Sequence, residues 1–185
     1  MHRCNINIPK CRTTRTEEVE RRVRDECAGH DLSSAILCEE SITTGVNISQ
    51  TAYAHCHPDV QVYVAVYTLM LTFIDNFSID PTMLPTCIGD KGWNDNPISQ
   101  WLSEHLLKAH DYFLPHAANS IIISTMKWLN SMRLDAIVDG YPLSKGAMSF
   151  AEYRRMQSGA PDAYAFFIFD KFNHPNIYTF IQMIP

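Results

Sequence analysis

From 59 to 76 the chain carries its strongest apolar pattern, with Val60, Val64, Tyr67, Leu71 and Ile74 recurring at helical spacing. The faces between these positions are mostly apolar as well. The pattern therefore predicts a helix buried at the centre of the fold, with Asp59 capping its start. Its many β-branched residues suit a strand, but its length argues against one. Upstream, Val19, Val23 and Cys27 stand four apart among charges and predict a short amphipathic helix over 17–27. The stretch 32–55 is less regular: Gly45 interrupts it, leaving a helix over 47–55 that stops near Pro58. Downstream, Trp101, Leu102, Leu106 and Ala109 predict one face of a helix over 98–113, and Ile122, Met126, Leu129 and Met132 one face of a helix over 116–138. Ser149-Phe-Ala-Glu152 reads as a capping box opening a helix that ends near Gly159, before Pro161. Two further buried helical pieces are expected over 163–172 and 176–184.

The punctuation between these segments agrees with an all-α fold. Pro81, Pro85, Gly89, Gly92 and Pro97 mark 77–97 as a long loop, a type of segment that often carries function. Gly140 and Pro142 mark a turn over 139–145, and residues 1–15 have no period and read as a loose terminus. A single helical domain is thus expected over 16–185.

Composition narrows the function classes. The 185 residues are 46% hydrophobic and 19% charged, which excludes a disordered or membrane-like chain in bulk. With 15 basic against 20 acidic residues the formal net charge is −5, so a broad basic surface for nucleic acid is excluded. The apolar run 60–74 contains Gln61 and Thr68, ends at Asp75 and is too short for a membrane span. Cys4, Cys11, Cys27, Cys38, Cys56 and Cys87 are scattered through a chain too long to need stapling. Residues 1–26 carry charges throughout and show no apolar leader core. Reduced thiols and a cytoplasmic location are the expectation.

Three groups of residues could carry chemistry. In Phe73-Ile-Asp-Asn-Phe-Ser-Ile-Asp80, two carboxylates and an amide follow the most apolar helix. A charge at such a place needs solvent or a cation, and oxygen donors of this kind suit Mg2+ on its way to phosphates. Asn76 and Asp80 share a face if the helix continues, with Asp75 about 100° away. The alternative is an exposed helix end with a solvated Asp75. Tyr153-Arg154-Arg155-Met156 offers at most one inward guanidinium, whose planar fork suits a diphosphate; the alternative is two surface arginines. His55-Cys56-His57 invites a zinc reading, but the spacing matches no structural zinc pattern and neighbouring side chains diverge.

Tyr67-Thr-Leu-Met-Leu-Thr-Phe-Ile-Asp-Asn76, Ser124-Thr-Met-Lys-Trp-Leu-Asn130 and Ser149-Phe-Ala-Glu-Tyr-Arg-Arg-Met-Gln-Ser-Gly159 occur in an order and at a spacing that resemble the trichodiene synthase family of fungal class I terpene synthases. The resemblance runs from about Gly45 to Pro185. It implies part of a class I terpenoid synthase helical bundle around a dry apolar pocket. There a prenyl diphosphate, usually farnesyl diphosphate, is ionised with three Mg2+ ions and basic side chains, and the carbocation cyclises. By position, Asp75 matches the first metal-binding aspartate of the D-D-x-x-D-type motif and Arg154 the diphosphate-sensing arginine. Trp128 falls where an aromatic residue lines the pocket, and Thr68, Leu71 and Thr72 would form wall. No catalytic base or acid is assigned. Asn76 stands where the motif has its second aspartate, and Ile79 where it is often acidic; Asp80 would substitute one residue later. The family's second metal motif, N-D-x-x-S-x-x-x-E, does not occur within the chain. The resemblance therefore implies the N-terminal half of a synthase, inactive and self-associating by itself. The rival expectation is a non-catalytic helical interaction protein derived from such an enzyme.

Overall fold

A computed structural model describes residues 13–30, 39–76, 97–142, 144, 146–158 and 160–176. The expected loose terminus up to residue 12, the loop over 77–96 with Asp80, and most of the helical piece over 176–184 lie outside the described residues. Within them the chain forms α1 (Thr13–Ala28), α2 (Glu39–Ala52), α3 (Pro58–Asn76), α4 (Pro97–Leu107), α5 (Ala109–Tyr112), α6 (Pro115–Val138), α7 (Met148–Gln157) and α8 (Pro161–Phe166). One isolated antiparallel bridge, Phe113 to Asp170, is the only β pairing among these residues, and the fold is all-α.

The central helix is α3. Val60, Val64, Tyr67, Leu71 and Ile74 are all buried, as are Ala65, Val66, Leu69 and Met70 between them. Helix α3 packs against α1, α2 and α4. Val19, Val23 and Cys27 of α1 form the buried stripe that their spacing predicts. The opposite side of α1 is charged and reaches its neighbours through ion pairs: Arg22 with Asp59 at 2.7 Å, Arg24 with Glu39 at 2.7 Å, and Lys108 with Glu26 at 2.5 Å. These pairs are partly exposed and hold orientation more than they add stability.

Several expected boundaries are corrected. Gly45 does not interrupt a helix; α2 runs straight through it, because the missing side chain lets α2 lie on the α3 backbone at Ala65. Asp59 is inside the first turn of α3 and engages Arg22, while its amide donates to His57 Nδ1 at 3.3 Å. The helix expected over 98–113 is two helices. It ends because Phe113 is extended, to meet Asp170, and Leu114 is extended before Pro115. On α6 the most deeply buried stripe is Ala117, Ala118, Ile121, Ser124, Thr125, Trp128 and Leu129. Of the predicted face only Leu129 is fully buried, and Ile122, Met126 and Met132 are partly buried beside the core. The Ser149 capping box is not formed: α7 starts at Met148, its N-cap is Ala147, and no side chain caps it. The piece expected over 163–172 ends as a helix at Phe166. Beyond it the Asp170 carboxylate accepts from the amides of Phe172 and Asn173, both at 3.0 Å, and turns the chain.

Candidate functional site

Asp75 and Asn76 are the last two residues of α3, and both are exposed. The helix presents no basic residue in its last turn. The C-terminal end of a helix carries partial negative charge, so a carboxylate at this end adds to a negative potential that favours a cation. Thr68, Thr72 and Asp75 follow one another at spacings of four and three and share one side of α3. Leu71 is buried beside them and Thr72 half-buried. Thr68 is buried with its hydroxyl engaged twice, donating to Val64 O at 2.9 Å and accepting from Tyr164 Oη at 3.1 Å.

A polar seam joins α3 to α6 and α8. Thr125 donates to Ile121 O at 2.8 Å, so its oxygen is left to accept from the Tyr67 hydroxyl at 2.7 Å. Burial pushes the Tyr67 phenol well above its ordinary range and keeps it protonated as that donor. Ser124 Oγ accepts from the Ala163 amide at 3.2 Å, seating the first turn of α8 on α6. Ala160 precedes that turn in the left-handed region, with φ of 47°. Trp128, buried to 5% exposure, lies on the same face of α6 one turn beyond Ser124 and Thr125.

Arg154, on α7, is tied back to α6: its Nε lies 2.5 Å from Asp135 Oδ1. The guanidinium carbon lies 6.0 Å from the centroid of the Phe150 ring. The bond to Asp135 is the main reason why the Arg154 pKa is raised further. Tyr153, Arg155 and Met156 are exposed. Asp135 follows Trp128 by seven residues and so falls on the same side of α6.

The helices order these residues. Tyr63 lies 5.6 Å from Phe113, just before α6, and Tyr67 bonds Thr125 on α6. Asp75 lies about 12 Å beyond Tyr67, and Asp135 about 15 Å beyond Thr125. Among the described residues no group of three or more His, Cys, Asp or Glu side chains is arranged to hold a metal ion. Asp75 and Asn76 supply one carboxylate and one amide oxygen, a donor set of the hard kind that Mg2+ takes. His55 and Cys56 do not diverge as expected, since His55 Nε2 lies 3.4 Å from Cys56 Sγ, which also faces Phe167 O at 3.5 Å; His57 turns away and stacks on Phe172 with centroids 4.5 Å apart.

Asp135 and Tyr164 are the functional-site neighbours that the sequence pattern does not single out. The register of Asp135 with Trp128 is the one signal that could have found it.

No protein-family model matches the chain. Its similarities are to fungal terpene synthases. Terpene synthase 29 of Postia placenta is 30% identical over 154 residues, covering 78% of this chain and 44% of that protein. Longiborneol synthase of Gibberella zeae is 28% identical over 179 residues, covering 91% of the chain and 52% of the relative. Monoterpene synthase 25 of Postia placenta is 22% identical over 191 residues, covering 97% and 55%. The chain spans about half the length of the curated relatives it matches. It is a homologue of fungal terpene synthases, and its all-α fold is consistent with theirs.

Proposed function

We propose that the chain is part of a terpene cyclase of the trichodiene synthase type, which ionises farnesyl diphosphate and cyclises the resulting allylic cation with release of diphosphate. The observation that carries this reading is the homology to fungal terpene synthases over most of the chain. Asp75 and Asn76, the last residues of α3, and Asp80 four residues later in the sequence are the Mg2+ ligands of this reading. Bound Mg2+ would neutralise charge developing on the departing diphosphate. Arg154 donates to the diphosphate oxygens. Trp128, Leu71, Thr72 and Thr68 line the hydrocarbon side. There an apolar wall excludes water, and the indole face favours positive charge. Thr68 suits such a wall because its hydroxyl is already paired with Val64 and Tyr164.

Because the chain corresponds to about half of its relatives, the activity is proposed for the protein at their length, and residues 1–185 alone are expected to be inactive and to self-associate. The test is gas chromatography of products after incubation with Mg2+ and either farnesyl or geranyl diphosphate. The full-length protein is expected to give cyclic product from farnesyl diphosphate, and Asp75→Ala to lower turnover by roughly a hundredfold or more. Full activity in Asp75→Ala would sink the metal assignment. Turnover of geranyl diphosphate alone would overturn the substrate length. No turnover of either would leave the non-catalytic helical protein as the better reading.

A further inference from the structure

Arg154 stands on a short helix whose neighbouring side chains Tyr153, Arg155 and Met156 are all exposed. An arginine in that setting samples many rotamers, and ordering it on binding costs affinity. Two groups restrain it here. Asp135 reaches across from α6 to its Nε at 2.5 Å, and Phe150, one turn back on α7, places a ring near the guanidinium, 6.0 Å from its carbon. An oxygen held at the Nε edge of the fork leaves donors on the terminal nitrogens for a second oxyanion. The restraint also has a direction. Asp135 shares its side of α6 with Trp128, so it draws Arg154 from its own helix toward the face that carries the indole.

We infer that Asp135 is a positioning residue: it fixes the Arg154 guanidinium so that its free donors are presented to a diphosphate. The inference rests on the reading of Arg154 as a diphosphate ligand, and it adds a residue that no part of that reading requires. It runs against simple electrostatics, because a carboxylate near an anion site repels the anion. The sign of the effect is therefore informative. If orientation dominates, loss of Asp135 weakens diphosphate binding; if repulsion dominates, it tightens it.

The experiment is calorimetric titration of the full-length protein with inorganic diphosphate and Mg2+. Asp135→Ala is expected to weaken binding roughly three- to tenfold, the size of the ordering cost returned to one long side chain. Asp135→Glu keeps the anionic partner, because Oδ1 meets Nε as a close ion pair and not in hydrogen-bond geometry; it should recover most of that loss, with folding checked by thermal melting. Arg154→Gln should weaken binding, and adding Asp135→Ala to it should cost nothing more, because Asp135 acts only through Arg154. Unchanged or tighter binding in Asp135→Ala, with Arg154→Gln weakened, would overturn the positioning role and leave the diphosphate reading intact. Equal weakening in the Ala and Glu variants would overturn it too. Wild-type binding in Arg154→Gln, or no binding by the wild type, would remove the role of Arg154 and this inference with it.

Discussion

His105 lies on α4 at 2% exposure, its ring stacked on Tyr63 with centroids 4.1 Å apart. Its Nε2 is 3.0 Å from Tyr63 O, and a carbonyl only accepts, so Nε2 carries the proton and the ring is neutral. Nδ1 has no hydrogen-bond partner among the described residues. Burial is the main cause that pushes the His105 pKa from 6.5 down to about 3. The unfolded chain therefore takes up a proton below about pH 6.5 that the folded chain refuses until about pH 3, and stability falls as pH falls through that window. The contribution is about 2 kcal/mol lost between pH 6.5 and 4.5. His105→Gln keeps an amide donor and does not titrate. Urea unfolding at those two pH values should show a smaller loss in this variant than in the wild type, and an equal loss would refute the assignment. At this scale the sequence speaks where a residue contradicts its surroundings. Asp75 is legible because a charge ends an apolar run. His105 and Asp135 are not, because the burial of one and the partner of the other come from segments distant in the chain.

Helix α2 meets α3 at Gly45, and there the ordinary propensity argument changes sign. Replacing glycine by alanine inside a helix normally stabilises by about 0.5–1 kcal/mol. Here a methyl group would run into the carbonyl oxygen of Ala65, with Ala65 C and Leu69 N each at 3.2 Å. These are backbone atoms of the central helix, so the collision cannot be relieved by a rotamer change. Gly45→Ala should destabilise by roughly 1–3 kcal/mol, as overpacking in a close-packed interior does. A thermal melt at or above the wild-type midpoint would show that the two helices are not in close contact. The same residue shows what elements reveal before a structure is known. Helix α3 and the stripe of α1 are legible from periodicity, because their apolar residues face other helices on the sides that the spacing marks. Gly45 is misleading, because a glycine that permits close packing and a glycine that ends a helix look alike in sequence. The buried stripe of α6 is displaced from the expected one for a related reason. Ser124, Thr125 and Ser131 count as polar, yet they are buried with their hydroxyls satisfied by Ala163, by Tyr67 and Ile121, and by Trp128.

For the molecule as a whole, the balance of covered and uncovered apolar surface matters most. Around α3 the core is closed. On α6 and α7 it is open: Ile123 and Ile137 are 54% and 64% exposed, Tyr153 47% and Met156 73%, and Tyr141 between the two helices 69%. Single exposed apolar residues are common on any protein, but several on two adjoining helices form the kind of surface that associates. Ion pairing offsets little of this: among the described residues most charged clasps cluster on α1 and its neighbours, and the pairs that involve α6 or α7 are Arg154 with Asp135 and Lys127 with Asp162, both partly exposed. Residues 1–185 produced alone should therefore self-associate as concentration rises through the micromolar range, the regime in which exposed apolar surface drives association. Light scattering after size-exclusion chromatography would read this as a mass above the 21.1 kDa of one chain. The double substitution of Ile137→Lys and Met156→Lys should return the mass toward one chain without lowering the melting temperature, since both side chains already face solvent. A wild-type mass of one chain at every concentration would remove the argument. Association that persists unchanged in the double variant would place the contact on some surface other than α6 and α7.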